Sequence, residues 1–145
     1  MSRPFEQVPP TPFGQFLGVE WIERGPEGAR VVFDLAPHHC NKRGVAHGGV
    51  LSSLLDMTLG ASVIAAIRPE EWCATIDLAL HFVAPARLGR IEVRGEVLRR
   101  ARRIAFAEGR ITDSAGRILT TARGTWTIWP SHPDRRESIG VKDNV

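Results

Sequence analysis

The sequence predicts an α+β domain in which an antiparallel β-sheet wraps around one long central α-helix. Three observations predict it. A single apolar stretch, from about His47 to Ile67, is long enough for a long helix and is closed by Pro69. Two strand-like segments precede it and four follow, with alternating residues and turn signals between them. The chain has 145 residues, which suits one domain with a real core. That domain is expected to run over residues 1–130, with a polar tail over 131–145.

The elements follow in order. Thr11 to Phe16 reads as a short helix, with Pro12 in its first turn and Gly18 after it. Val19 to Arg24 and Ala29 to Leu35 read as strands joined by the turn Gly25-Pro26-Glu27-Gly28. Pro37 to Gly44 is a loop, and the long helix follows it. Ile76, Leu78, Leu80 and Phe82 alternate with Asp77, Ala79, His81 and Val83, a strand with one strongly apolar face. The opposite row, Asp77, Ala79 and His81, suits an interface with a second subunit better than a pocket. Pro85 and Gly89 bracket a turn before the strand carrying Ile91, Val93 and Val97. Arg99 to Arg103 reads as the next connection. Ile104 to Thr112 and Ile118 to Trp129 form a last hairpin about Asp113-Ser114-Ala115-Gly116.

Composition narrows the function. At 43% hydrophobic and 24% charged residues the chain is ordinary globular protein, neither disordered nor a disulfide scaffold. Cys40 and Cys73 form no C-x-x-C pair, so a reducing, cytoplasmic setting is expected. The opening MSRPFEQVPP carries Glu6 and no apolar core, so no secretory or transit signal is expected there. The long helix has the length of a membrane span. Ser52, Ser53, Asp56, Thr58, Gly60 and Ser62 make it too polar for one, and no membrane partner is expected. Net charge is +3, and the excess is local: Arg87, Arg90, Arg94, Arg99, Arg100, Arg102 and Arg103 face only Glu92 and Glu96. Without a recognition-helix signature or interleaved aromatics, nucleic acid is not an expected partner. His38, His39, Cys40 and His47 are spaced poorly for one metal ion, so no metal is expected.

The chemistry concentrates where the loop enters the long helix. His47-Gly48-Gly49 sets bare backbone N–H groups at a helix start, where they can hold developing negative charge. From His47 to Arg68, Asp56 is the only acidic residue, with no base between to pair with it. A lone carboxylate in an apolar helix costs free energy and is tolerated mainly at sites of chemistry or at a hydrogen-bonded structural position. His47 and Asp56 are nine residues apart, which is about 13 Å along the axis and roughly opposite faces. One helix cannot aim both at one small carbonyl group. If both serve one reaction, they come from two chains related by a two-fold axis.

The pattern N-x-x-G-x-x-H-G-G-x-x-x-x-x-x-D, then T-I-D-L-A-L-H-F-V-A-P-A-R-L-G, then G-x-x-x-x-x-x-G-T-W resembles the hotdog-fold thioesterases. It looks closest to the branch containing the phenylacetate-pathway thioesterase, and the likeness runs from about Phe13 to Trp129. The resemblance implies a hotdog fold and hydrolysis of an acyl-coenzyme A thioester, with coenzyme A as part of the substrate and no separate cofactor. It also implies a homodimer whose sites span both subunits, with two dimers often pairing.

On that resemblance Asp56 is the general base that activates water, or the nucleophile itself. The Gly48 N–H polarises the thioester oxygen, and Gly49 lets substrate approach the backbone. His47 and Asn41 orient the carbonyl and shape the loop; a helix cap and an Asx turn are their structural alternatives. Thr75 matches a position that helps hold the lytic water. Its parity is a difficulty, because alternation puts it beside Asp77, unless the start of the strand is twisted or bulged. Arg100, Arg102 and Arg103 are candidates for the coenzyme A phosphates, with Arg102 or Arg103 preferred to Arg99; a solvated loop is the alternative. Two other readings of the whole chain are a non-catalytic acyl-CoA sensor and a hotdog hydratase or dehydratase.

Overall fold

A computed structural model of the chain describes residues 11–131; residues 1–10, and the polar tail from residue 132 on, lie outside the described residues. Helix α1 (Pro12–Leu17) is capped by the Thr11 hydroxyl and closed by Gly18 at φ 81°. Strands β1 (Glu20–Gly25) and β2 (Gly28–Leu35) form the first hairpin. Helix α2 (Gly48–Ala66) follows a loop, and β3 (Trp72–Phe82), β4 (Gly89–Arg100), β5 (Ile104–Asp113) and β6 (Ile118–Trp129) complete the domain. The six strands form one antiparallel sheet in the order β1-β2-β4-β5-β6-β3. Helix α2 lies on its inner face, so the expected architecture is the observed one.

The depth at which α2 lies is set by a row of small residues. Ala29, Gly95, Gly109 and Ala122 stand opposite one another across β2, β4, β5 and β6. Leu59 and Ser62 settle over this row, and the Ser62 hydroxyl donates to the Gly95 carbonyl at 2.9 Å. A methyl group at Gly109 would lie 2.5 Å from the Arg94 carbonyl oxygen and 2.9 Å from Leu59 Cδ2. Gly109→Ala is therefore expected to cost about 1–3 kcal/mol by overpacking and to lower Tm by about 3–10 °C in a thermal melt.

The polar residues of α2 do not conflict with its burial. Ser52, Ser53 and Thr58 donate to the carbonyls of Gly48, Gly49 and Leu54 one turn back, at 2.7, 2.8 and 2.7 Å. Leu51, Leu54, Leu55, Leu59 and Val63 fill the core with Phe33, Val93, Ile111 and Trp126. By length and composition α2 is apolar enough to cross a membrane. Here that apolarity is met by the sheet.

Two boundaries differ from the sequence expectation. Strand β3 begins at Trp72, so Thr75 is not at its start. Its pairing with β6 skips Ile76: Thr75 faces Trp126 and Asp77 faces Thr125. This bulge reverses the parity of the strand. Cys73 and Thr75 share the inner face before it, and Leu78, Leu80 and Phe82 share it afterwards. Ile76, read as part of the apolar row, is left 58% exposed. The second difference is in β4, which continues through Arg99 and Arg100, so the connection to β5 is only Ala101 to Arg103. Cross-strand hydrogen bonds to Phe106 and Ala105 outweigh the charge run that suggested a loop.

Candidate active site

The loop before α2 is built by short-range bonds. The Asn41 Oδ1 accepts from the Arg43 N–H at 2.8 Å, an Asx turn, and Gly44 at φ 70° lets the chain double back. Cys40 and Ala46 form an isolated bridge. The His39 carbonyl accepts from the His47 N–H at 2.8 Å, and the His39 Nδ1 accepts from the Ala36 N–H at 3.0 Å. His39 is buried, its ring 4.8 Å from that of Phe33.

Burial, helped by the neighbouring His38, holds the His39 imidazole below its ordinary value of 6.5. The folded state thus prefers the neutral ring, whereas the unfolded chain takes up a proton near 6.5. The stability this group contributes is complete above that pH and is lost as pH falls below it. Protonation also turns Nδ1 into a donor facing the Ala36 N–H. Thermal melts from pH 8 to pH 5 should show Tm falling below about 6.5, and the fall should flatten in His39→Gln.

At the helix start the backbone donors divide. His47 is the N-cap: its Nδ1 accepts from the Gly49 N–H at 2.9 Å, which leaves the ring proton on Nε2. The Val50 and Leu51 N–H groups reach the His47 carbonyl at 3.0 and 3.5 Å. Among the described residues no acceptor takes the Gly48 N–H, which stands at the positive end of the helix. The capped His47 and the turn-forming Asn41 thus keep to their structural geometry while holding Gly48 in position.

Asp56 lies eight residues further on, about 12 Å along the axis. It is half-buried, and the Thr75 hydroxyl donates to its Oδ1 at 2.8 Å. The bulge at Ile76 makes this contact possible by turning Thr75 onto the inner face. Among the described residues nothing bonds to Oδ2. Cys73 stands close by, but burial pushes its thiol up to about 11, with the Asp56 charge adding to the effect, so it carries no thiolate at neutral pH.

The structure thus gathers the proposed residues into two groups at separated points of α2. Asn41, His47, Gly48 and Gly49 lie at its start; Asp56 lies near its middle, with Thr75 of β3 beside it. Of the arginines, Arg100 is committed elsewhere: its guanidinium lies 2.5 and 2.6 Å from the two Glu71 oxygens. Burial pushes Glu71 up, but bonds from the Arg68 N–H and from Arg100 outweigh it and hold the carboxyl below its ordinary range. No pattern in the sequence marks Glu71 as this partner. Arg102 and Arg103 are exposed, with no ion pair among the described residues. Among those residues no three His, Cys, Asp or Glu side chains converge as a metal site. One neighbour escaped the sequence reading: the ring of Phe82 stands against Gly48, a contact that strand alternation alone does not signal.

Residues 43–120 match the sequence profile of the thioesterase superfamily, more than half of the chain, and the chain belongs to that superfamily. Its chemistry is hydrolysis of a thioester, and the fold is the hotdog. Among relatives, a candidate esterase of Pseudomonas aeruginosa is 38% identical over 91 residues, 62% of this chain and 67% of that protein. Acyl-coenzyme A thioesterase 13 of Mus musculus is 24% identical over 109 residues, 74% of this chain and 77% of that protein. Among solved structures, a candidate esterase of Mycobacterium tuberculosis superposes with a TM-score of 0.80 at 27% identity, covering 85% of this chain and all of that one. A phenylacetic acid degradation-related protein of Ralstonia eutropha shares the fold, with a TM-score of 0.77 at 24% identity, covering 84% of this chain and 94% of that one.

Proposed function

We propose that this protein hydrolyses acyl-coenzyme A thioesters as a homodimer, each site pairing Asp56 of one chain with the Gly48 N–H of the other. The observation that carries the proposal is the division of α2 into two half-sites. An untaken amide stands at one point, and a carboxylate with one oxygen steadied by Thr75 stands at another. In the reaction a water on Asp56 Oδ2 gives its proton to the carboxylate and attacks the thioester carbon. The oxygen turns anionic against the partner's amide, the C–S bond breaks, and the departing thiolate takes the proton from Asp56. Asp56 acting as nucleophile is the other route. A single turnover in ¹⁸O-water tests that route, because label left in the Asp56 carboxylate requires an acyl–Asp56 anhydride opened at the aspartyl carbon, which the base route never forms.

Strand β3 supports the dimer. It ends the sheet, so along its outer edge the backbone donors and acceptors are open to a second copy. A two-fold axis beside β3 would set the two α2 helices antiparallel, with Asp56 of each facing the start of the other. The outward face of the sheet suits a dimer of dimers. Arg30, Arg94 and Arg110 stand in one cross-strand row and Glu96 and Glu108 in the next, bordering a groove of about 740 Å³. About a two-fold axis, such rows complement their own copies.

Arg102 and Arg103 are the arginines left to meet the coenzyme A phosphates. The mouse relative's name supports coenzyme A as the carrier, and the two free thiols suit a cytoplasmic setting. The test is thiol release, followed with a colour reagent, from a panel of acyl-CoA and acyl carrier protein thioesters. Release from acyl-CoA is the expected result. Binding without release would replace the enzyme by a sensor.

A further inference from the structure

Phe82 is the last residue of β3 and shares the inner face with the fully buried Thr120 opposite it. A core-facing ring in that position is ordinarily covered, yet Phe82 is 56% exposed. Its tip meets the helix start: a Cβ built on Gly48 would lie 3.1 Å from Phe82 Cζ and 3.5 and 3.6 Å from two further ring carbons. The Thr120 hydroxyl opposite it is buried and has no hydrogen-bond partner among the described residues. A half-covered ring beside an untaken amide describes the wall of a site open to substrate.

We propose, resting on the hydrolytic reading above, that Phe82 determines which acyl groups this site accepts: it admits acyl groups unbranched at the carbon next to the carbonyl and excludes branched ones. A thioester oxygen accepting from the Gly48 N–H sits about 2.9 Å from that nitrogen. The carbonyl carbon and the first acyl carbon then fall within a few ångströms of the Gly48 Cα, in the space that the Phe82 tip borders. Coenzyme A is charged and keeps its nucleotide in water, so the apolar acyl group is the part turned towards the inner face. The ring is anchored by β3 backbone pairing and yields little. A methyl branch on the first acyl carbon meets the ring, whereas substitution further out passes beyond it.

The test compares matched thioesters, butyryl-CoA with isobutyryl-CoA and phenylacetyl-CoA with 2-phenylpropionyl-CoA, in the wild type, Phe82→Ala and Phe82→Leu. Wild type is expected to favour the unbranched member by about tenfold or more in kcat/KM. Phe82→Ala should bring the two members within about threefold, by raising the rate on the branched one, with Phe82→Leu between. Thermal melts check that the variants fold, and Phe82→Leu carries the test if Phe82→Ala does not. A wild-type ratio near one, or a ratio unchanged in a folded variant, overturns the proposal and leaves the hydrolytic reading intact. Failure of the wild type to release thiol from any of the four overturns the hydrolytic reading itself.

Discussion

Asp56→Asn is expected to lower kcat by about 10²–10⁴-fold, with Asp56→Ala falling at least as far. Asparagine keeps the shape of the side chain and an oxygen to accept the Thr75 hydroxyl, which now bonds Oδ1 at 2.8 Å. It cannot take a proton from water, so the loss it causes belongs to proton transfer rather than to packing. Alanine also removes the contact with Thr75, a hydrogen bond worth about 1 kcal/mol. Asp56 is only half-buried, so both variants should melt close to the wild type. Steady-state thiol release beside thermal melts checks both expectations. Wild-type turnover in Asp56→Asn would remove this carboxylate from the mechanism.

Gly48→Pro is the counterpart at the other half-site, with an expected loss of about 10²–10³-fold in kcat. Proline deletes the one backbone donor at the start of α2 that no acceptor takes among the described residues. It does so at the first helical position, where a missing N–H leaves the helix intact and the proline φ is already suitable. His47, with φ −62° and ψ 136°, has the extended backbone that a residue before proline requires. The ring needs the tip of Phe82, 3.1 Å from a Cβ at this position, to give by a few tenths of an ångström. Gly48→Ala is the control: it keeps the N–H while making the same demand on Phe82. A large loss in Gly48→Pro with a small one in Gly48→Ala assigns the effect to the amide. Equal losses assign it to the ring.

What could be read in the sequence was what local chemistry determines. The start of α2 was legible because His47, Gly48 and Gly49 act on their immediate neighbours, and Pro69 limits the helix through its own ring. The sheet was legible because its alternation has a period of two. The bulge at Ile76 was not. It exists because Thr75 pairs with Trp126 while Asp77 pairs with Thr125, and no pattern within β3 alone reports the register of β6. The same hidden partner made Thr75 look misplaced on the wrong side of its strand. Arg100 reads as one of a charge run, and only the fold brings Glu71 beside it. Such long-range pairings depend on register and on side chains far apart in the chain, which spacing does not record.

If the proposed pairing along β3 holds, the rate of each molecule is tied to how many others surround it. With every working centre shared between two copies on that reading, dilution would act as an inhibitor. Specific activity should climb with enzyme concentration and level off once nearly every subunit has found a mate, and the half-rise point measures the strength of that embrace without any physical separation of the species.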